Sequence, residues 1–197
     1  MSTQANQLIP GLAGIPASES AISYIDGNIG VLEYRGYPIA DLSANSTFEE
    51  VVFLLWHGRL PKVAELKELE ESLAAKRQVP DAVLDIIRLL PKDGHPMDAL
   101  QACVSALGMF NEDNRAWKDS AKAHDMCLEL VAVMPTLTAA FDRVRRGLDI
   151  IAPDPALSTA ANFLYMVNGE VPDELAAKVL DVALILHADH TMNASTF

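Results

Sequence analysis

Imidazoles, a carboxylate, an amide and several hydroxyls crowd into one stretch, His187-Ala188-Asp189-His190-Thr191-Met192-Asn193-Ala194-Ser195-Thr196-Phe197. The residues before it, with Leu175, Val179, Val182, Ile185 and Leu186 apolar, have the spacing of a buried helix face. If that helix continues, His190 has His187 on the turn before and Asn193 on the turn after. Asp189 is then rotated by roughly 100° and is not paired with His190. Three readings are open. The residues are buried polar groups bonded within the fold, or part of a metal site, or neutral donors for a small polar substrate. Zinc needs three or four ligands, and no matching cluster of Cys, His or Glu accompanies the two imidazoles. No metal is therefore expected.

The other histidines carry weaker signals. His57 precedes Gly58 at a helix end and has a capping or surface role; His95 sits in a turn before Pro96. His124 has Asp125 beside it but no nucleophile at a workable spacing. No Gly-x-Ser-x-Gly, phosphate-binding glycine loop, dinucleotide fingerprint or CxxC pair is present. Arg143, Arg145 and Arg146 form the one basic cluster, near a helix end, where complementing the helix dipole is their natural role.

The elements that must position these groups are mostly helical. Asp26-Gly27-Asn28 is a tight-turn signal between Ala21–Ile25 and Ile29–Tyr34, predicting a hairpin over about 20–35. Helices follow from about residue 38. Ser46 with Glu49 has capping-box spacing ahead of a helix that runs to Gly58, and Pro61 and Pro80-Asp81 open two more. His95-Pro96 precedes a helix from about Met97 to Phe110. A long segment from Ser120 to Gly147 contains Pro135, which predicts a kink or break. Ser158 to Val167 and the segment opened by Pro172-Asp173 complete the set. The last helix shows no stop signal, neither a closing Gly nor a basic residue, so it is expected to run on into the polar stretch. The chain looks cut there.

Half of the 197 residues are hydrophobic and the formal net charge is −12. The first property excludes a disordered chain, and the second argues against nucleic acid and anionic membranes as partners. No uncharged apolar run reaches bilayer length, and the first residues have neither a basic nor an apolar targeting pattern. A cytoplasmic protein is expected, with Cys103 and Cys127 as buried free thiols.

The segment from Leu186-His187 to Phe197 closely resembles the substrate-binding segment of the citrate synthase family. Gly11-Leu12-Ala13-Gly14-Ile15, Ile25-Asp26-Gly27, Tyr34-Arg35-Gly36-Tyr37-Pro38-Ile39, Leu54-Leu55-Trp56-His57-Gly58, His95-Pro96-Met97 and Tyr165-Met166-Val167-Asn168-Gly169 resemble that family in order and approximate separation. The 2-methylcitrate synthases share these motifs. The resemblance implies a mostly α, multi-helical large domain with a small N-terminal hairpin, in an enzyme that works as a homodimer. It implies condensation of oxaloacetate with acetyl-CoA as co-substrate, with no permanently bound cofactor. It also implies that His190 hydrogen-bonds oxaloacetate and that Asn193 lies beside the reacting groups. Ser195 would support a catalytic histidine through its backbone, and His187 would be a neighbouring site histidine.

The chain departs from the family in one respect. It has no Pro-x-His-Gly-Gly-Ala-Asn or Gly-x-Gly-His-Arg segment, nor the aspartate and arginines that follow them in the family. Residues 1–197 are therefore expected to form the first part of the large domain, without the smaller domain. A chain lacking the catalytic Asp and His would be inactive alone. The alternative is a short helical interaction or assembly module without catalysis.

Overall fold

The computed structural model describes residues 19–110 and 118–191. A small antiparallel sheet of three strands comes first: β1 Ser23–Asp26, β2 Val31–Tyr34 and β3 Tyr37–Pro38, in the order β1-β2-β3. Ser23 pairs with Tyr34 and Asp26 with Val31, as a hairpin requires. Its turn is longer than the sequence predicts, however. Ile29 and Gly30 belong to the turn rather than to the strand, with Gly30 at φ 69° and the Asn28 amide donating to Asp26 Oδ1 at 2.9 Å. The third strand is a correction to the two-stranded expectation. Arg35 at φ 50° and Gly36 at φ 82° make a two-residue reversal, which brings Tyr37 opposite Tyr34. Arginine rarely takes a positive φ. Here its side chain helps to compensate, because Nε and Nη2 donate to the Leu55 carbonyl at 3.1 and 2.6 Å.

Eight helices follow among the described residues: α1 Ile39–Asn45, α2 Phe48–His57, α3 Val63–Ala75, α4 Asp81–Leu89, α5 Pro96–Leu107, α6 Ser120–Arg145, α7 Thr159–Asn168 and α8 Glu174–Leu186. The multi-helical expectation holds. The α2 capping box uses Thr47 with Glu50, one residue later than expected: Glu50 N donates to Thr47 Oγ1 and Thr47 N to the Glu50 carboxylate. Gly58 ends that helix in the left-handed region. Pro61 lies before α3, which starts at Val63 once Glu65 has accepted the Lys62 amide at 2.7 Å. In α5, Pro96 is the first residue and His95 the N-cap, its Nδ1 accepting from Met97 N at 3.2 Å. That helix stops at Leu107, short of the expected Phe110.

Of the kink or break expected at Pro135, the break is absent, because helix α6 runs on through it. Its buried residues, Leu128, Ala132, Val133, Leu137, Ala140, Phe141 and Val144 among them, hold it against α3, α4, α5 and α7. Packing on this scale offsets the hydrogen bond that one proline removes. Two clusters grow from this axis. One joins Val83, Ile87 and Cys103 to Val133 and Leu137; the other joins Val52, Phe53, Leu69 and Leu73 to Leu128. A third gathers Tyr34, Leu42, Val51, Leu54 and Ile185, tying the sheet to α1, α2 and α8. Cys103 is buried, as expected, but Cys127 is exposed.

Several helix ends are satisfied by side chains from elsewhere in the fold. Glu49, in α2, is buried and its carboxylate accepts from Thr159 N, the first residue of α7. Asp181, in α8, accepts from Phe48 N at the start of α2, while Lys178 donates both to Asp181 and to the Ser46 carbonyl. The arginine cluster works in the same way. Arg143 and Arg146 reach the Val167 carbonyl at 3.1 and 3.4 Å, and Arg145 lies over the Phe141 ring. Arg143 and Arg146 thus complement the C-terminus of α7 as well as the end of their own helix, where Arg145 also lies. Among the described residues, no helix is long and apolar enough to cross a membrane.

Candidate functional site

The polar stretch begins where α8 ends, and α8 ends earlier than its pattern predicts. The last helical residue is Leu186, and His187 is the C-cap with φ −112°. Its ring Nδ1 donates to the Ala183 carbonyl at 2.7 Å, satisfying one of the free carbonyls of the last turn. Beyond it the chain is irregular, and Thr191 is in the left-handed region with φ 72°. His187 and His190 are therefore not on successive turns of one helix. That arrangement is corrected, and Asn193 and Ser195 lie outside the described residues.

The stop comes from another part of the chain. Tyr34, at 0% exposure, projects from β2 under the end of α8. Its hydroxyl is 3.1 Å from the Asp189 carbonyl oxygen, to which it donates, and 3.4 Å from that of Leu186. The Tyr34 hydroxyl oxygen in turn accepts from Asp189 N at 3.2 Å. Burial holds the phenol above its ordinary pKa of 10.0, so the donating proton stays in place at neutral pH. The Asp189 carboxylate takes a very short hydrogen bond from the Ser23 hydroxyl and another, of 2.9 Å, from Thr191 N. Asp189 is thus not a partner of His190, as expected, but a bracket that joins β1 to the residue after it. His190 itself is exposed, and among the described residues no hydrogen bond falls on its ring. It is a surface residue rather than a core one.

An apolar cleft of about 620 Å³ lies beside this segment. Val52, Leu55 and Trp56 of α2, Met134 and Pro135 of α6, Phe163 of α7 and Leu184 of α8 line it, with His187 and Ala188 at the α8 end. The arrangement sets a mostly apolar volume against the His187 imidazole, and Ala188, the last of the lining residues, stands two positions before the exposed His190. It can hold an apolar body while a polar head meets a donor at its edge.

The remaining histidines stay apart from this site. His57 stacks on Phe53 with ring centroids 4.1 Å apart, and His124 meets Trp56 edge-on at 5.0 Å and His57 at 5.9 Å. Both are exposed, in keeping with the surface role expected of His57. Asp125 is taken by Lys76 at 2.8 Å, and Asp142 by Arg146. Among the described residues, no three His, Cys, Asp or Glu side chains gather as a metal site would need. Sequence reasoning missed Tyr34, Ser23 and the bracketing role of Asp189. A buried tyrosine always needs a partner for its hydroxyl, and that was the available signal.

Comparison with known proteins bears on this geometry. A family model described as "Citrate synthase, C-terminal domain" matches residues 11–197. A citrate synthase of Acidithiobacillus ferridurans is 49% identical over 192 residues, covering 95% of this chain and 50% of the relative. A 2-methylcitrate synthase of Mycobacterium tuberculosis is 41% identical over 187 residues, covering 95% of this chain and 47% of the relative. The crystal structure of a citrate synthase from Pyrobaculum aerophilum superposes with a TM-score of 0.88 at 41% identity, covering 96% of this chain and 49% of that one. The chain therefore spans about half the length of the relatives it matches.

Proposed function

The chain belongs to the citrate synthase family, and from that premise we propose that the polypeptide carrying these residues condenses oxaloacetate with acetyl-CoA and water, releasing citrate and CoA. The exposed imidazole of His190, set at the pinned end of α8 beside an apolar cleft, carries the reading. In this role His190 donates a hydrogen bond to oxaloacetate, Asn193 lies beside the reacting groups and His187 lines the same pocket. Ser195 supports a catalytic histidine through its backbone.

The reaction needs more than these groups. The acetyl methyl is a weak carbon acid and requires a placed carboxylate base, and the enolate oxygen that develops requires a donor aimed at it in advance. Oxaloacetate is a dianion and CoA a polyanion, whereas this chain has a net charge of −12, and Arg143 and Arg146 of its basic cluster are engaged by the Val167 carbonyl. The aspartate, the histidines and the carboxylate-binding arginines are supplied by the part of the polypeptide that follows the first half of the large domain. Residues 1–197 alone are inactive. Acetyl-CoA is a co-substrate, no cofactor is permanently bound, and the enzyme is a cytoplasmic homodimer. Val171, Leu175 and Val179, all more than half exposed, give an apolar face that further chain or a second copy would cover.

Release of free CoA from acetyl-CoA and oxaloacetate, followed with a thiol reagent, tests the assignment. The complete polypeptide should produce citrate and CoA together, and the 197-residue chain should produce neither. Turnover by the 197-residue chain overturns its inactivity. A complete polypeptide that accepts propionyl-CoA in strong preference to acetyl-CoA moves the assignment to 2-methylcitrate formation, and one that accepts neither leaves an assembly module.

A further inference from the structure

We propose that Tyr34 is a positioning residue for the His190 imidazole, acting through the peptide that joins Asp189 to His190, with Ser23 and the Asp189 carboxylate as its auxiliaries. The inference rests on the reading of His190 as an oxaloacetate-binding group and adds to it the device that aims that group. A side chain's direction follows from the peptide planes on either side of its Cα. The plane before His190 contains the Asp189 carbonyl, and that oxygen takes the Tyr34 hydroxyl proton at 3.1 Å. The same hydroxyl accepts from Asp189 N at 3.2 Å, so one atom grips both the amide and the carbonyl of Asp189. The plane after His190 contains Thr191 N, held at 2.9 Å by the Asp189 carboxylate, which the Ser23 hydroxyl anchors in turn. His190 is thus gripped before and behind while its own ring stays exposed.

Three further observations fit this role. Thr191 keeps a φ of 72°, which a β-branched residue adopts only when its surroundings impose it. Tyr34 is wholly buried among Leu42, Val51, Leu54 and Ile185, so the gripping atom stands on the rigid core. Ser23 and Tyr34 are partners across the β1–β2 pair, so a single pair of residues in the sheet supplies both anchors. A ring that must meet a small keto acid within a few tenths of an ångström gains most from such fixing of its backbone.

The test uses Tyr34→Phe, which keeps the ring and its packing and removes only the oxygen. Amide hydrogen exchange at Asp189 and Thr191 should speed up by about tenfold while exchange in α5 and α6 is unchanged, the scale expected for one lost buried bond. In the complete polypeptide the KM for oxaloacetate should rise by about tenfold with the KM for acetyl-CoA unmoved. A merely structural defect would instead lower the active fraction and leave both KM values alone. Asp189→Leu should reproduce the effect, and Asp189→Asn, which keeps an acceptor oxygen, should recover most of it. Unchanged exchange overturns the inference, and so does an unchanged oxaloacetate KM in an active enzyme. If the complete polypeptide makes neither product, the functional reading falls, and exchange alone decides whether Tyr34 positions His190.

Discussion

The two ends of α8 are secured by different physics. At its start, the Asp173 side chain accepts from Ala176 N at 2.7 Å, a local cap in exposed surroundings. At its finish, the backbone is caught by Tyr34, more than 150 residues back in the chain, from inside the core. The first device costs and yields little because water competes for the same groups. The second excludes water, so a lost partner leaves a buried amide or carbonyl unsatisfied. The segment proposed to bind substrate is attached to the second end. Groups that must hold a set direction are thus placed where tertiary contacts, and not helix propensity, decide the backbone.

The comparison breaks most sharply at Tyr34. Tyr34→Ala removes a fully buried ring and the hydrogen bonds of its hydroxyl, and should cost about 3–5 kcal/mol by denaturant unfolding. Asp173→Ala, at the other end of the same helix, should cost about 1 kcal/mol. Equal losses would mean that the two ends are not differently held. The remote caps extend the test. Glu49→Ala leaves Thr159 N without its acceptor in a buried place and should cost about 1–3 kcal/mol, more than the exposed local cap, in the same unfolding assay.

The smallest effect lies at Glu65, which is local and exposed. Hydrogen bonding from Arg59, then from the Lys62 amide, lowers its carboxyl from 4.5 to about 2. A carboxyl depressed in the folded state contributes stability that is complete above pH 4.5 and disappears as the pH falls through about 2. Urea unfolding of Glu65→Gln should therefore differ slightly from the parent at pH 7 and not at pH 2. Added salt should shrink the difference, because solvent screens an exposed pair.

Much of the helical framework was legible in the sequence. Pro80, Ser158 and Asp173 each mark a helix start, and Gly58 and Gly169 each mark a stop, because caps and left-handed closures act over three or four residues. Thr47 displaced Ser46 as a cap by one residue, since both hydroxyls satisfy the same local rule. The third strand was hidden because its turn puts an arginine at a positive φ, which only the distant Leu55 carbonyl makes favourable. Pro135 was read as a kink or break because propensity sees the lost hydrogen bond and not the packing of α6, and no break occurs. At the site, the sequence picked out His187 and His190 by type but gave them the wrong backbone. Nothing local announces that a helix with no stop residue will end at Leu186.

Residue order alone determined the helix count along most of the chain, the apolar faces, the acidic balance and which side chains carry chemistry. Family membership lies in the same motifs, since types and separations are properties of the string. The end of α8 at Leu186, the exposure of His190 and the cleft along α2, α6, α7 and α8 were settled only by tertiary contacts. Those contacts join residues far apart in sequence, and their strength comes from excluding water, which no short window of sequence can report.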